Sequence, residues 1–473
     1  MSSEQVFTNT ITRLEEKHDI EMIPENERRQ KPSSLFFLWF GSNLTIGDFA
    51  LGILAAYLGM PVMWTLLSMT LGTVFGGILL AVMSGMGSRS GYPQMVLGRR
   101  SFGNSGGSVM AFLQWMNTTG WLVFNTIISA SALGLMIYAS GSISAGSFSV
   151  GLYIIPILII SFLVFVLAYI GHGFVHLFEK IMSLVIGVLF VYISVVSLQN
   201  VSLITSYTTP SLSPDAFVGL FASIFALSFS YIMSWGPYAS DYSRYLPSGT
   251  KSSKVFGYTF LGAVLSTIWA EIAGMLVFVL TGVSNYLNPA APLQSVLGKY
   301  AFLGLITLVL GGLSANALNL YSNSLSFRTT GIRVSRRVLL VFTTAIAVIL
   351  SYFGYLAFAE DYEYFLYLLD YWITPWIGIM IADFFIVHRG EFRLTKTAFN
   401  WNGIISYVVA LALSLAFINQ SFNGLALYYE GFVATAYLGG AYAPDISYFV
   451  SFAAAIILYV VLSRYGVKER SGA

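Results

Sequence analysis

SYIMSWGPYASDYSRYLP, residues 230–247, puts helix-breaking chemistry where a hydrophobic span should still be running. Residues 216–232 read as a largely apolar segment, after which Ser234, Trp235, Gly236 and Pro237 arrive together. Glycine loosens the backbone and proline has no N–H to give, so an aromatic ring stands beside main-chain groups that cannot complete a helical ladder. At membrane depth such backbone is tolerated only where it is buried in protein or lines a polar cavity. The stretch therefore marks a binding site within a membrane-spanning helix.

The chain around it is built for a bilayer. Its 473 residues are 56% hydrophobic and 9% charged, with a mean hydropathy of +0.76, against roughly 25% charged in soluble domains. The net charge is +2 and the basic residues fall in short clusters between apolar runs, so no nucleic-acid partner is indicated. Cysteine is absent, which excludes disulfides, thiol nucleophiles and cysteine metal sites. Residues 1–33 carry mixed charge without the apolar core of a signal peptide and read as a cytoplasmic N-terminal tail.

Twelve stretches meet the length of about 20 apolar residues that a spanning helix needs. Spans 1 to 5 are 35–58, 61–83, 108–138, 150–170 and 174–198; spans 6 to 10 are 216–238, 256–280, 301–322, 338–358 and 364–387; spans 11 and 12 are 404–422 and 446–465. Lys and Arg are retained on the cytoplasmic side. With both termini inside, that count leaves Lys299 as the one outer basic residue, while Asp215, Glu360, Asp361, Glu363, Glu430 and Asp445 fall outside.

Two groups of five spans have opposite orientation, as in the inverted repeats of secondary transporters. The interval from Gly41 to Gly236 equals that from Trp121 to Asn316. The expected organisation is a first repeat over 34–198, a second over 215–388, two further helices over 403–465, and a cytoplasmic tail at 466–473. The fold class is an all-α polytopic membrane protein with a five-plus-five repeat and broken spans 1 and 6.

Polar residues inside these spans nominate the site. Span 1 reads WFGSNLTIGDFALG over 39–52, placing Gly41, Asn43 and Asp48 within it. A carboxylate there costs about 3 kcal/mol or more, so Asp48 either meets a cavity, an ion or a proton, or bonds a neighbouring helix. In span 3, QWMNTTGWLVFN over 114–125 sets Trp121 and Asn125 on one helical face. A ring for stacking beside an amide with donor and acceptor suits a flat, heteroatom-rich ligand; the alternative is a core ring beside an interhelical amide. Span 8 carries LGGLSANALNLYSNS over 310–324, with Gly311, Ser314, Asn316 and Asn319. Small residues explain close packing but not two amides within one turn, which point to ligand or ion contacts or, alternatively, to interhelical hydrogen bonding alone. Glu271 and Asp370 are further intramembrane acids, open to pairing or to a proton relay, and Asp383 with His388 and Arg389 reads as a cytoplasmic cap. His172 and His176 have only Glu179 as a third partner, a thin basis for a metal site. No phosphate-cradling loop and no nucleophile–base set occur, so neither ATP-driven transport nor an enzyme is supported.

Together, WFGSN, GWLVFN, SWGPYASDYSRYLP, SANALNLYS and PWIGIMIADFF resemble the nucleobase:cation symporter-1 family, in its purine/cytosine permease branch. The resemblance covers spans 1 to 10. It implies the leucine-transporter-like fold, alternating access in which spans 1, 2, 6 and 7 move against 3, 4, 8 and 9, and import of a nucleobase with a cation. Carried over by motif, Trp121 and Trp235 bracket the base and Asn125 and Asn316 bond its edge, and Gly236 and Asn319 are counted with them as substrate-binding. Sodium-coupled relatives use helix 8 hydroxyls or an amide with helix 1 carbonyls, whereas this chain offers Ser314 beside Gly311 and Ala315. Coupling to a proton is thus expected over sodium, through Gly41, Asn43, Asp48, Gly311 and Ser314 with Asp48 as carrier. No cofactor is expected. A functional monomer in the plasma membrane, whose partners are the bilayer and a small molecule, completes the expectation. An allantoin, hydantoin or uracil permease is the alternative, as is an amino-acid transporter of the same fold. The latter needs a carboxylate-binding helix terminus, where paired tryptophans and amides favour a neutral ring.

Overall fold

The computed structural model describes residues 18–138, 150–199, 208–209, 211–282, 290–354, 358–422, 427–437 and 443–465. The expected tail at 466–473, residues 1–17 of the other tail and residues 355–357 of span 9 lie outside them. Among the described residues nine helices are long and apolar enough to cross a membrane, or ten when one bent pair counts as a span. Shorter apolar helices stand at spans 4 and 11.

The bent pair is span 1. Helix α1 (Ser33–Asn43) and α2 (Ile46–Tyr57) meet at 55°. At the break Thr45 is extended, and its hydroxyl accepts from the Gly47 and Asp48 amides, so α2 starts on its own N-cap. Helix α3 (Val62–Ser90) follows Pro61 and ends at Gly91, whose φ of 75° is the left-handed cap that glycine favours.

Helix α4 (Gln94–Tyr138) begins well before the expected residue 108. Its first turns carry Arg99 and Arg100, polar residues that hydropathy assigns to a loop, and it kinks at Gly103. There the Asn104 and Ser105 amides bond the Thr397 and Ala398 carbonyls, so the ladder lost at the kink is replaced by another segment. Helices α5 (Ile154–Ile170) and α6 (His172–Leu198) complete the first group.

Helix α7 (Pro214–Met233) is followed by a 3-10 turn at Gly236–Tyr238 and the short α8 (Ala239–Ser243). Helix α9 (Ser252–Thr281) leads to α10 (Ala290–Leu297), a short helix the span count did not contain, and then α11 (Ala301–Thr329), α12 (Arg336–Gly354) and α13 (Phe358–Ile381). A π turn at Ala382–Val387 ends the last of these. Span 11 is shorter than the expected 404–422. Helix α14 (Trp401–Ser414) stops early, and the polar run NQSF forms β1 (Asn419–Phe422), antiparallel to β2 (Leu427–Glu430). Helices α15 (Phe432–Tyr437) and α16 (Ser447–Tyr465) close the described chain.

Two packed groups organise the core. Helix α9 lies along α1, α2 and α3, and α3 lies along α7, giving a bundle; α4, α5, α11 and α12 pack together as a second body. The bundle is interlocked at its backbone. A Cβ on Gly52 would lie 1.9 Å from the Glu271 carbonyl oxygen, and one on Gly274 would lie 1.9 Å from that of Phe49. Only glycine permits this approach of α2 and α9. Helix α6 touches both bodies, at α1 and at α11.

Candidate functional site

Between the bundle and the second body, the break after α7 meets α4 and α11. The break is closed by neighbours. Ser234 Oγ donates to the Tyr231 carbonyl at 2.7 Å, and Gln94 Oε1 accepts from the Ser240 amide and hydroxyl at 3.2 and 2.5 Å. Asp241 Oδ1 accepts from the Gln94 amide at 2.8 Å, so Asp241 ties α8 to the start of α4. Backbone freed by Gly236 and Pro237 is thus partly satisfied by side chains, as burial requires.

A row of amides runs out from this turn. Tyr238 OH donates to Asn319 Oδ1 at 2.8 Å; Asn319 Nδ2 reaches Asn316 Oδ1 at 3.5 Å, and Asn125 Nδ2 donates to the same oxygen at 3.2 Å. Asn316 Nδ2 is anchored on the Leu122 carbonyl at 3.1 Å and Thr126 Oγ1 at 3.2 Å. All three asparagines are buried. The structure therefore brings together Asn125, Asn316 and Asn319, with Tyr238 as a fourth member.

The two tryptophans sit in separate aromatic groups. Trp121 meets Tyr231 and Phe365 edge-on, with centroids 5.1 and 5.2 Å apart. Trp235 meets Trp39 edge-on at 5.4 Å and Tyr238 at 5.1 Å. Gly236 backs onto Ile377, whose Cδ1 would lie 2.8 Å from an added Cβ. Two polar atoms on one face of α4, Trp121 Nε1 and Asn125 Oδ1, are buried and make no hydrogen bond. A buried donor and acceptor without partners cost about 1–3 kcal/mol each, which a heteroaromatic ligand offering the complementary atoms would recover.

The residues nominated for ion coupling divide in two. Asp48 Oδ2 accepts from Thr45 Oγ1 at 2.7 Å and Tyr231 OH at 2.8 Å, which makes Asp48 part of the start of α2. Gly311 packs against the break itself, since a Cβ there would lie 2.7 Å from the Leu44 carbonyl oxygen. Asn43 Nδ2 turns back to the Trp39 carbonyl at 2.9 Å. Gly41 and Ser314 face a different group, Glu179 of α6: Ser314 Oγ donates to Glu179 Oε2 at 2.5 Å. Glu179 carried a sequence signal, a carboxylate inside span 5, but its proximity to His172 and His176 drew it into the metal question. Among the described residues no cluster of three or more metal-ligating side chains occurs.

At the end of α13, Asp383 bonds Arg100 and Tyr459 at 2.7 and 2.6 Å. The Asp383 hydrogen bond holds the His388 imidazole above its ordinary pKa. Arg244 donates to the Asp19 and Glu21 carbonyls at 2.7 and 3.4 Å, away from the amide row.

Residues 22–450 match the family described as permease for cytosine/purines, uracil, thiamine, allantoin. The chain is 29% identical to a putative purine-cytosine permease of Bacillus subtilis (strain 168), over 97% of this chain and 98% of that protein. It is 24% identical to a purine-cytosine permease of Emericella nidulans, over 96% and 89% respectively. Its fold is similar to that of Mhp1, a nucleobase-cation-symport-1 family transporter in a closed conformation with bromovinylhydantoin bound, with a TM-score of 0.76, 20% identity and 96% of both chains covered.

Proposed function

Because the chain belongs to the family of permeases for cytosine/purines, uracil, thiamine and allantoin, the nucleobase:cation symporter-1 family, we propose that it imports cytosine or purines by cation symport. It is an integral membrane protein of a transporter family. The observation that carries the substrate reading is the buried amide row beside unpartnered Trp121 Nε1 and Asn125 Oδ1. Such an edge is matched to a neutral, planar ring with alternating donors and acceptors.

In this reading the base lies against Trp121 and Trp235 beside Gly236, with its edge on Asn125, Asn316 and Asn319. The rings close over it by rotation of their present partners. The protein works as a monomer of the plasma membrane with twelve spans and cytoplasmic termini. The repeats 34–198 and 215–388 supply bundle and second body for alternating access, and 403–465 flank them. The coupling cation is a proton in preference to sodium, since Gly311 and Ala315 leave Ser314 as the hydroxyl of that turn. It acts in the neighbourhood of Gly41, Asn43, Asp48, Gly311 and Ser314.

The test is uptake of radiolabelled cytosine, adenine, hypoxanthine, uracil and allantoin into proteoliposomes under imposed proton or sodium gradients. Proton-driven accumulation of cytosine or a purine is expected, and wild-type vesicles that accumulate none of these compounds would refute the reading. A hydantoin permease is the second reading, favoured by the bromovinylhydantoin bound to Mhp1; accumulation of allantoin without cytosine or purine would select it. Trp121→Ala and Trp235→Ala are each expected to lose about 1–3 kcal/mol of stacking, with full affinity in either variant counting against the clamp.

A further inference from the structure

Resting on the symport reading, we infer that the coupling proton is carried by Glu179 in α6, at the seam between the two packed bodies. Its side chain is fully buried. Oε2 accepts from Ser314 Oγ of α11, and Oε1 has no hydrogen-bond partner. Against the same carboxyl lies α1: a Cβ on Gly41 would come within 2.7 Å of Oε2 and 3.0 Å of the Glu179 carbonyl oxygen. Glycine at 41 is what lets the bundle close over this group. One carboxyl therefore touches the bundle on one side and the second body on the other.

That position separates Glu179 from Asp48. A bound proton drives a conformational change only if it interacts differently with the two states. Asp48 takes its hydrogen bonds from Thr45 and Tyr231, both within the bundle, so they travel with it when the bundle moves. Glu179 has its donor on α11 and its lid on α1, and any displacement of α1 from α11 changes its surroundings.

The electrostatics follow. With α1 closed, an ionised Glu179 would be a buried charge with one unpartnered oxygen, a cost of several kcal/mol; the neutral acid avoids it and supplies an O–H donor. When α1 withdraws, water reaches the carboxyl and the proton can leave. One proton taken up on the outer side and released on the inner side accompanies each base, and the carboxylate accepts the next. The titratable groups around it are few. His176 lies one turn away on α6, α8 presents Tyr242 with its ring 6.3 Å from that imidazole and within the field of Glu179, and Lys180 is exposed. Gly41 and Ser314, the contacts from α1 and α11, do not titrate.

The experiment compares wild type with Glu179→Gln in proteoliposomes and in detergent. Glu179→Gln is expected to exchange preloaded radiolabelled cytosine or adenine at the wild-type rate, yet only to equilibrate under an inward proton gradient, with exchange independent of pH. Wild-type accumulation in Glu179→Gln, or sodium-driven accumulation by wild type at constant pH, would overturn the assignment. A readout independent of any base is the infrared band of protonated buried carboxyls, to which Asp48, Glu271 and Asp370 also contribute; a pH-titrating component of it should be present in wild type and lost in Glu179→Gln, and the same titration in both overturns the proposal. If wild type exchanges no base, the nucleobase reading fails while this band still decides the proton site. Should Glu179→Gln not fold, Ser314→Ala keeps the carboxyl and removes its donor; a displaced pH midpoint of the band supports the assignment and an unmoved midpoint overturns it.

Discussion

Tyr238 holds two positions at once: its ring lies on Trp235 and its hydroxyl ends the amide row at Asn319. Tyr238→Phe keeps the ring and leaves the buried Asn319 oxygen without that donor. That cost of about 1–3 kcal/mol falls on the empty protein, so a base that satisfies Asn319 is expected to bind roughly 5- to 150-fold tighter. Equilibrium binding of radiolabelled substrate to purified protein checks it, and unchanged affinity would show that the row does not hold the base. The asparagines of that row stood out in the sequence as amides in apolar runs, and the structure joins them by hydrogen bonds between α4 and α11. Tyr238 and Trp39 did not stand out, for aromatic rings are abundant in this chain, with 29 Tyr, 37 Phe and 9 Trp, and nothing in a single sequence separates a site ring from a packing ring. Glu179 was visible as a charge, but its partners come from two distant helices.

Helices were legible wherever apolar runs are long, and illegible where polar residues continue a helix or end one. The first turns of α4 contain two arginines, stabilised by Asp383 and by the Thr329 carbonyl, to which Arg99 donates. Those partners lie hundreds of residues away in sequence. The end of α14 fails in the opposite direction, where β-pairing of NQSF with LYYE takes over from the helix. Between elements, the α2–α9 interlock makes a sharp prediction. Gly52→Ala forces a methyl group into the Glu271 carbonyl, overpacking that costs about 1–3 kcal/mol and lowers the melting midpoint in detergent. Gly257→Ala, on the same α9, meets nothing within 4 Å and should leave the midpoint unchanged. Equal midpoints for the two variants would show that α2 and α9 adjust freely.

For the whole molecule, residues 18–32 form a strap across one end of the seam. Asp19 gives its carbonyl to Arg244, just beyond α8 of the bundle side, and its carboxylate to Arg328 of α11 at 2.6 Å. The ion pair is partly exposed, so it contributes at most about 1 kcal/mol. Asp19→Ala is accordingly expected to shift the balance of bundle positions up to about fivefold, toward arrangements with this end apart. The chain has no cysteine, so a single cysteine introduced beside the strap reports directly: faster thiol labelling in Asp19→Ala is expected, and an unchanged rate would show that the strap does not hold the seam.

The amide row also bears on the half of a transport cycle in which nothing is carried. Tyr238 belongs to the break of the bundle and Asn319 to the second body, so their hydrogen bond joins the two bodies directly, without any ligand between them. On the proposed reading, in which Asn319 bonds the edge of the base, this contact is an internal substitute for the cargo that can hold the carrier shut while empty. Return of the empty carrier then needs no cargo and leaves no open path for solutes to slip through, and the affinity for a base is set by how much better it satisfies Asn319 than Tyr238 does.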